Sequence, residues 1–304
     1  MSEPRIQGHT AGGNDPSRRS VARADSLLEG DLAIDTFRFR SLRVGRGTLY
    51  VAPDFEEAVR SLGLPEPEAL ERMLADGAVG GQGRATTRVI ELPGRSERLH
   101  LRPLCHGGAL ARVTRRSFLG LGRPLAELAV SAELLARGAP VSRSVLVLGR
   151  RAGLFWQASV GSVYEEGTLD AAAFLAAGPT AARTLQAARA AGIALRRFHD
   201  AGGRHADLQA ANLLVRENES STEVLVVDLD RSVLSAAVPP ARRMQELMRL
   251  YRSLLKRELL EAVGDRGCAA FLGSYTKGDR ALRRALRAHL PRERLRVALH
   301  ALRY

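Results

Sequence analysis

The chain has 304 residues, 45% of them hydrophobic, and a formal net charge of +13 at pH 7. This length suits one large domain or two lobes around a cleft, and the charge favours anionic partners such as nucleotides, phosphorylated sugars, acidic lipids or nucleic acid. No apolar run approaches the roughly 18 residues needed to span a bilayer, and the two isolated cysteines, Cys105 and Cys268, lack the spacing of a metal site or a disulfide framework.

The N-terminal segment, residues 1–25, is polar and rich in glycine, serine and arginine, which predicts a disordered tail. No apolar stretch comes after Arg18-Arg19, so no export signal is expected. The isolated thiols fit a reducing compartment. We therefore expect a cytoplasmic protein that is soluble or peripheral to a membrane.

Strand-like segments dominate the next part of the chain, residues 26–161. Two short helices are predicted at residues 54–62 and 67–74, where prolines punctuate the sequence. The dipeptide Pro93-Gly94 separates two alternating runs and predicts a hairpin. The other predicted elements of this half are strand-like patches within 37–52, strands at 86–92, 98–104, 141–148 and 153–160, and a helix at 125–137.

Helical patterns dominate the second half. Long helices are predicted at residues 179–199 and 242–262, and a polar turn joins two short apolar strands, 213–215 and 224–227. A β-rich half followed by an α-rich half with one late hairpin predicts an α+β fold with two lobes. The predicted lobes are a small β-rich N-lobe, residues 26–161, and a helical C-lobe, residues 162–304.

Three polar side chains flank the two short strands of the second half. Asp207 and Asn212 precede the first strand, and Asp228 comes directly after the second. If the strands pair, Asn212 and Asp228 meet at the open end of the hairpin, where an amide oxygen and a carboxylate suit Mg²⁺. Asp207 lies one loop earlier and can face a substrate hydroxyl. Each residue alone also suits a turn or a cap, but the ordered set predicts phosphoryl transfer.

The sequence around these residues resembles a known catalytic motif. Residues 205–212, HADLQAAN, resemble the H-x-D-L-x-x-x-N loop of protein-kinase-like enzymes, and residues 228–230, DLD, stand where that family has D-F-G. The pattern is more similar still to the lipopolysaccharide kinases, and within them to the 3-deoxy-D-manno-octulosonic acid (Kdo) kinases, which have D-F-D. The resemblance implies a protein-kinase-like fold and the cofactors ATP and Mg²⁺. It further implies Asp207 as catalytic base, Asn212 and Asp228 as metal ligands, and Asp230 in place of the usual glycine.

A glycine-rich segment carries part of the same resemblance. Residues 80–87, GGQGRATT, resemble the family's glycine-rich turn before a hairpin. The resemblance implies nucleotide contacts at Gly80, Gly81 and Gly83. A second glycine turn, residues 45–47, competes for this role. The first is preferred because its distance to the next hairpin strand suits a single hairpin.

The nucleotide phosphates need a cation that no lysine can supply from the N-lobe. The only lysines, Lys256 and Lys277, both come after the catalytic loop. Residues 101–103 resemble the family's L-R-x-Y run, and by that alignment Arg102 replaces the lysine. An arginine is permanently charged and binds phosphate through two donors. Residues 123–128, RPLAEL, resemble its R-x-F-x-E-F helix and make Glu127 the ion-pair partner of Arg102.

Two histidines near the motif are interpreted as structural. His205 opens the catalytic loop, and in kinase-like folds this residue supports the loop, so it receives no role in proton transfer. His199 lies at the end of the predicted helix 179–199 and is expected to pack there.

The segment after Asp230 bears on the choice of acceptor. Only about a dozen residues separate Asp230 from the next predicted helix, and no Ala-Pro-Glu is present, which disfavours a protein acceptor. The resemblance implies transfer to a Kdo hydroxyl of the lipopolysaccharide inner core, on Kdo-lipid A, at the cytoplasmic face of the inner membrane. A basic enzyme suits this acidic acceptor and not a cationic aminoglycoside. The alternatives are a heptose kinase of the same superfamily and a pseudokinase that binds nucleotide or lipid without turnover.

The basic charge also makes two other kinds of partner worth considering, nucleic acid and an anionic membrane. Nucleic acid is not expected, because aromatic residues make up only 5% of the chain and no recognition motif is present. An anionic membrane surface is expected. The helix predicted at 242–262 has one apolar stripe for packing, and its arginine-rich opposite face is a candidate for that contact.

Overall fold

The computed structural model describes residues 39–81, 87–105 and 117–301. The predicted tail and the first residues of the predicted N-lobe therefore lie outside the described residues. The strands are β1 (Arg40–Val44), β2 (Gly47–Val51), β3 (Ala78–Gly81), β4 (Thr87–Glu91), β5 (Arg98–Pro103), β6 (Ser144–Ala152), β7 (Phe155–Val163), β8 (Thr168–Asp170), β9 (Gly203–Arg204), β10 (Leu213–Glu217), β11 (Thr222–Val226) and β12 (Val233–Leu234). The α-helices are α1 (Glu56–Ser61), α2 (Pro67–Asp76), α3 (Gly122–Ala136), α4 (Ala171–Ala176), α5 (Ala181–Asp200), α6 (Pro240–Lys256), α7 (Leu260–Tyr275) and α8 (Arg280–Ala301).

Seven strands form one antiparallel sheet in the order β1-β2-β6-β7-β5-β4-β3. The predicted hairpin is present as β4 and β5, with Val89 opposite His100. Strand β5 buries Leu99 and Leu101 on one face, whereas Arg102 is half-buried on the other. This alternation follows from the two-residue period of a strand and sends Arg102 away from the aliphatic core.

Helix α3 packs against β6 and β7 and lies beside the face of the sheet that carries Arg102. It begins at Gly122, earlier than the pattern predicted, and Pro124 stands in its first turn, where a missing N–H costs nothing. The helix buries Leu128 and Leu134 in the core and also buries one carboxylate, that of Glu127. A buried carboxylate on such a helix needs a cation nearby.

The second lobe is built from helices around a short hairpin. Strands β10 and β11 pair with Leu213 opposite Val226, as predicted, and β8 adds a third strand to them. Helix α5 packs against α7 and β11 and buries Leu195 and Phe198 in the core of this lobe. The α+β class and the order of the two lobes, strands first and helices second, are thereby confirmed.

The single helix predicted at residues 242–262 is wrong. The chain forms two helices, α6 and α7, because Glu258 takes a left-handed conformation with φ of 59°. The amide of Leu259 donates to the carbonyl of Leu254 (3.0 Å) and that of Glu258 to Leu255 (3.1 Å), which satisfies the last carbonyls of α6. Such a cap usually carries glycine, so a glutamate at this position does not signal a helix end.

The described part of the chain contains no helix that is both long enough and apolar enough to cross a bilayer.

Candidate active site

His205 joins the two halves of the candidate active site. Its ring Nδ1 accepts a hydrogen bond from the amide of Asp207 (3.0 Å), and its Nε2 donates to the carbonyl of Val227 (3.0 Å). An amide requires a lone pair and a carbonyl requires a proton, so the ring is neutral with its proton on Nε2. Burial lowers the pKa of His205 and favours this neutral form. The ring therefore supports the loop, as the sequence predicted, and no nitrogen is left for proton transfer.

The catalytic loop places Asp207 at the surface and Asn212 inside. The Asp207 carboxylate is exposed, and among the described residues it accepts a 3.2 Å hydrogen bond from Gln209. Asn212 is buried, and its side-chain Nδ2 donates to the backbone carbonyl of Asp207 (2.8 Å). The backbone carbonyl of Asn212 accepts from the amide of Val227 (3.0 Å). These bonds fix the loop while leaving the Asp207 carboxylate facing solvent, as a base that meets a substrate hydroxyl requires.

Asp228 comes after β11 in an unusual backbone conformation. Its φ is 59°, which is uncommon for a residue with a side chain and is frequent at functional sites. Its carboxylate is 44% exposed, and the bond between Val227 and Asn212 holds the neighbouring backbone against the catalytic loop. The Asn212 amide uses its NH₂ group toward Asp207, so its oxygen stays available as a ligand. An amide oxygen and an accessible carboxylate fit Mg²⁺, with nucleotide phosphates supplying further oxygens.

Arg102 stands between two carboxylates. Its Nη2 lies 2.7 Å from Glu127 and 3.3 Å from Asp228. Glu127 is only 4% exposed, and burial raises the pKa of this carboxyl while Arg102 opposes the rise. The two carboxylates also raise the pKa of Arg102 against the effect of its own burial. The structure thus contains the ion pair that the sequence predicted and links it to the candidate metal ligand.

The glycine-rich segment is described only in part. Gly80 and Gly81 lie at the end of β3, where the pairing with β4 shifts register between Val79 and Gly81. Gly83 lies outside the described residues. The sheet order favours this segment over the competing turn at residues 45–47, because β4 is the direct neighbour of β5 whereas β2 is separated from β5 by β6 and β7. Contact of these glycines with a nucleotide stays a prediction.

An ion pair that the sequence did not reveal crosses the cleft. Arg123, in the first turn of α3, donates through Nε to Asp230 Oδ1 (2.6 Å) and through Nη2 to the other oxygen. The Asp230 side chain is 19% exposed, and although its burial acts to raise the pKa, Arg123 holds that pKa below its usual value. Arg123 and Asp230 are 107 residues apart in sequence, and no local pattern connects them. This bidentate pair ties the N-lobe helix to the segment that carries Asp228.

A buried carboxylate supports the loop from below. Glu246 of α6 accepts a hydrogen bond from the amide of His205 (2.9 Å) and lies 3.2 Å from Nε2 of His199. The other ring nitrogen of His199 is 2.6 Å from the hydroxyl of Tyr275. His199 is fully buried at the end of α5, in line with the packing role predicted for it. Glu246 was missed, although a charged residue beside the apolar stripe of α6 was a usable signal.

Residues 77–275, more than half of the chain, match the lipopolysaccharide kinase (Kdo/WaaP) family. The chain belongs to this family. The matched region contains β3 to β12 and the whole candidate active site. The family resemblance predicted from the motif is thereby confirmed.

Named relatives agree with this membership. The chain is 36% identical over 161 residues to a "3-deoxy-D-manno-octulosonic acid kinase" of Xanthomonas axonopodis pv. citri (strain 306), covering 51% of this chain and 61% of the relative. It is 36% identical over 183 residues to the protein of the same name from Xanthomonas oryzae pv. oryzae (strain PXO99A), covering 58% and 68%. A Stenotrophomonas maltophilia (strain K279a) relative of that name is 32% identical over 59% of this chain and 69% of its own. The match thus spans less than two thirds of the first relative.

A solved structure shows the same fold. "WaaP in complex with acyl carrier protein" superposes with a TM-score of 0.55 over 82% of this chain and 98% of that chain, at 20% sequence identity. This similarity establishes the protein-kinase-like fold of the family for this chain and confirms the predicted fold class.

The neutral state of His205 makes stability depend on pH. Because its folded pKa is lowered from 6.5, the unfolded chain binds more protons below that value. The stabilisation is complete above about pH 6.5 and is lost as the pH falls toward the folded value. We expect the free energy of unfolding to fall by up to about 1.4 kcal/mol per pH unit in that range for this one group.

Denaturant titrations between pH 5 and pH 8, values that bracket the histidine pKa of about 6.5, measure this dependence. His205→Gln should flatten it. His100→Gln is the matched control. Burial also lowers the pKa of His100, so its contribution to the pH dependence of the unfolding free energy must be subtracted. An equal slope in the wild type and in His205→Gln would contradict the assignment.

Proposed function

We propose that this chain transfers the γ-phosphoryl group of ATP to a Kdo hydroxyl of the lipopolysaccharide inner core, on Kdo-lipid A. The observation that carries the proposal is the convergence of Asp207, Asn212, Asp228 and Arg102 on one cleft. Hydrogen bonds within the loop and through His205 hold the first three in place, and the ion pair with Glu127 positions the fourth. Phosphoryl transfer needs this combination of positioned groups and little covalent chemistry.

Each residue takes one role in the proposal. Asp207 accepts the proton of the attacking hydroxyl, because its carboxylate is exposed and weakly bonded. Asn212 and Asp228 hold Mg²⁺, which when bound neutralises the phosphates. Arg102 binds the phosphates while Glu127 holds its guanidinium. The nucleotide contacts extend to Gly80, Gly81 and Gly83.

A small acceptor fits the structure better than a peptide. Only residues 231–239 separate Asp230 from α6, and part of them is used by β12. Residues 231–239 are therefore too short to hold an extended peptide beside Asp207. The choice of Kdo rests on the names of the relatives at 32–36% identity. A heptose acceptor and nucleotide binding without turnover are the alternatives.

The proposed function is tested by incubating the protein with Mg·ATP and Kdo-lipid A and measuring one added phosphate by mass spectrometry. Asp207→Asn is run beside it, and heptose-containing core glycolipids serve as parallel acceptors. Product on Kdo-lipid A alone supports the proposal. Product on the heptose acceptor alone replaces Kdo by heptose. Tight ATP binding without product on any acceptor identifies a pseudokinase.

We also propose that the C-lobe holds an acyl chain. A cavity of about 1020 Å³ opens between α5, α6, α7 and α8, with a lining that is mostly apolar and includes Phe174, Leu254 and Phe271. Interiors of proteins are close-packed, so a void of this size points to a ligand. The solved WaaP neighbour is in complex with acyl carrier protein.

The second proposal is tested by comparing the binding of acylated and unacylated acyl carrier protein. We expect binding of the acylated form, measured by calorimetry, and a weakening of that binding in Ala191→Phe, which places a ring in the cavity. Equal binding of both forms would place the contact outside the cavity.

A further inference from the structure

The outer end of the N-lobe sheet exposes several large apolar side chains. Leu119 is 88% exposed and Leu154 81%, while Val44 and Phe155 are 47% and 43% exposed. Single exposed apolar residues are common on protein surfaces, but a contiguous group marks an interaction site. These four residues indicate an interaction site only if they form one contiguous surface.

Backbone pairing brings these residues together. Phe118 and Trp156 form an antiparallel bridge, with reciprocal hydrogen bonds of 2.8 and 2.7 Å. In such a bridge the flanking residues also lie side by side, so Leu119 is next to Phe155. Leu154 precedes Phe155 at the turn between β6 and β7.

The turn between β1 and β2 completes the same surface. The amide of Arg151, at the end of β6, donates to the carbonyl of Arg46 (2.9 Å), and Val44 closes β1 two residues before Arg46. Val44, Leu119, Leu154 and Phe155, together with the arginines beside them, form a surface that we call the rim patch.

The three segments that form the rim patch carry basic but no acidic residues. Arg43, Arg46 and Arg151 are exposed there, and residues 39–48, 117–122 and 149–157 contain no aspartate or glutamate. The strand pairings place Arg43 and Arg151 on the sheet face of Trp156, opposite to Phe155, and on the Phe155 face Arg150 pairs with Glu71 of α2 (2.6 Å). Within the described part of the chain, neither Arg43 nor Arg46 has an ion-pair partner. Arg151 lies 5.9 Å from the ring of Trp156. Apolar tips at a sheet end that also carries Arg43, Arg46 and Arg151 fit a surface with an apolar interior and anionic head groups.

We propose that the rim patch binds the surface of an anionic lipid bilayer. The patch consists of exposed turn tips from three chain segments, which can enter a head-group layer. An aromatic residue beside arginines is typical of the membrane interface. Two arginines of α6, the helix that the sequence suggested for this contact, are engaged inside the C-lobe: Arg243 pairs with Asp200 (2.7 Å), and Arg249 donates to the carbonyl of His205 (3.0 Å).

The rim patch also lies beside the cleft. The segment that carries Leu119 continues into α3, where Arg123 contacts Asp230. A bilayer held at the patch would therefore present a lipid-linked acceptor near the catalytic loop. This orientation rests on the proposed function, whereas the binding itself does not.

Sedimentation with vesicles tests the proposal on the full chain. We expect binding to vesicles of phosphatidylcholine with phosphatidylglycerol and weak binding to phosphatidylcholine alone. The triple variant Leu119→Ser, Leu154→Ser, Phe155→Ser should lose about tenfold or more in partitioning, since each removed apolar side chain weakens insertion. Ile193→Ser is the matched control, because Ile193 is 48% exposed on α5 in the other lobe.

Two results would overturn the proposal: anionic vesicles that bind the triple variant as well as the wild type, and wild-type binding that ignores vesicle charge. Phosphorylation of a Kdo acceptor freed of its acyl chains is measured in parallel. The triple variant should match the wild type there while losing activity on vesicle-borne Kdo-lipid A. If neither protein phosphorylates either acceptor, the proposed function fails and the vesicle result still decides the membrane contact.

Discussion

Replacing Asp207 by asparagine is expected to lower the turnover number by about 10²–10⁴-fold, the usual contribution of a positioned general base. The amide has nearly the same shape but cannot accept the proton of the acceptor hydroxyl. The carbonyl of Asp207, which Asn212 binds, and its amide, which His205 binds, are backbone groups and stay unchanged. Steady-state kinetics with Mg·ATP and Kdo-lipid A measure the effect.

The controls separate chemistry from folding. Because the Asp207 carboxylate is exposed and accepts one 3.2 Å hydrogen bond, the free energy of unfolding should change by less than about 0.5 kcal/mol. Gln209→Ala removes that same hydrogen bond without touching the carboxylate and should retain most of the activity. Turnover in Asp207→Asn within a few fold of the wild type would exclude Asp207 as the base.

Replacing Arg102 by alanine is expected to harm both stability and nucleotide binding. Glu127 is only 4% exposed, and removal of its partner leaves a buried charge without compensation. Breaking such a pair costs about 3–5 kcal/mol of unfolding free energy. Loss of the guanidinium also removes the proposed phosphate contact, so ATP affinity and turnover should fall together.

Two further variants distinguish these effects. Arg102→Ala with Glu127→Leu removes both charges, so stability should recover while ATP binding stays weak. Arg102→Lys restores the cation found in most kinase-like sites but supplies only a single point charge, so partial activity is expected. Calorimetric ATP binding and denaturant unfolding measure the two quantities. Intact ATP affinity and turnover in a folded Arg102→Ala protein would show that Arg102 is not the phosphate anchor.

Two residues depart from the usual D-F-G motif, and each is packed or paired in the structure. Leu229 takes the place of phenylalanine in the D-F-G position, and it is 3% exposed within the C-lobe core. This leucine is packed into the core. Asp230, in the glycine position, is held by Arg123 and does not stand as an unpaired buried charge. Both departures are therefore accommodated by the structure around them.

The sequence alone determined those features that depend on local spacing. Alternation along residues 98–104 separated Arg102 from Leu99 and Leu101, and the structure keeps this division. The motif spacing predicted the hairpin β10–β11 with Asn212 and Asp228 at its ends. The absence of N-lobe lysines, together with the resemblance to the family motif, pointed to Arg102 as the phosphate anchor, and that role stays a prediction. Each of these follows from strand period or motif order, which tertiary packing did not override.

Tertiary structure alone decided the contacts between distant segments. Arg123 with Asp230, Glu246 with the amide of His205, and the bridge that assembles the rim patch join residues far apart in sequence. In the sequence alone, each of these side chains would fit an ordinary solvated surface equally well. Folding within each lobe sets the second and third contacts, and the packing of the two lobes sets the first. These distances therefore depend on neighbours in space and not on neighbours in sequence.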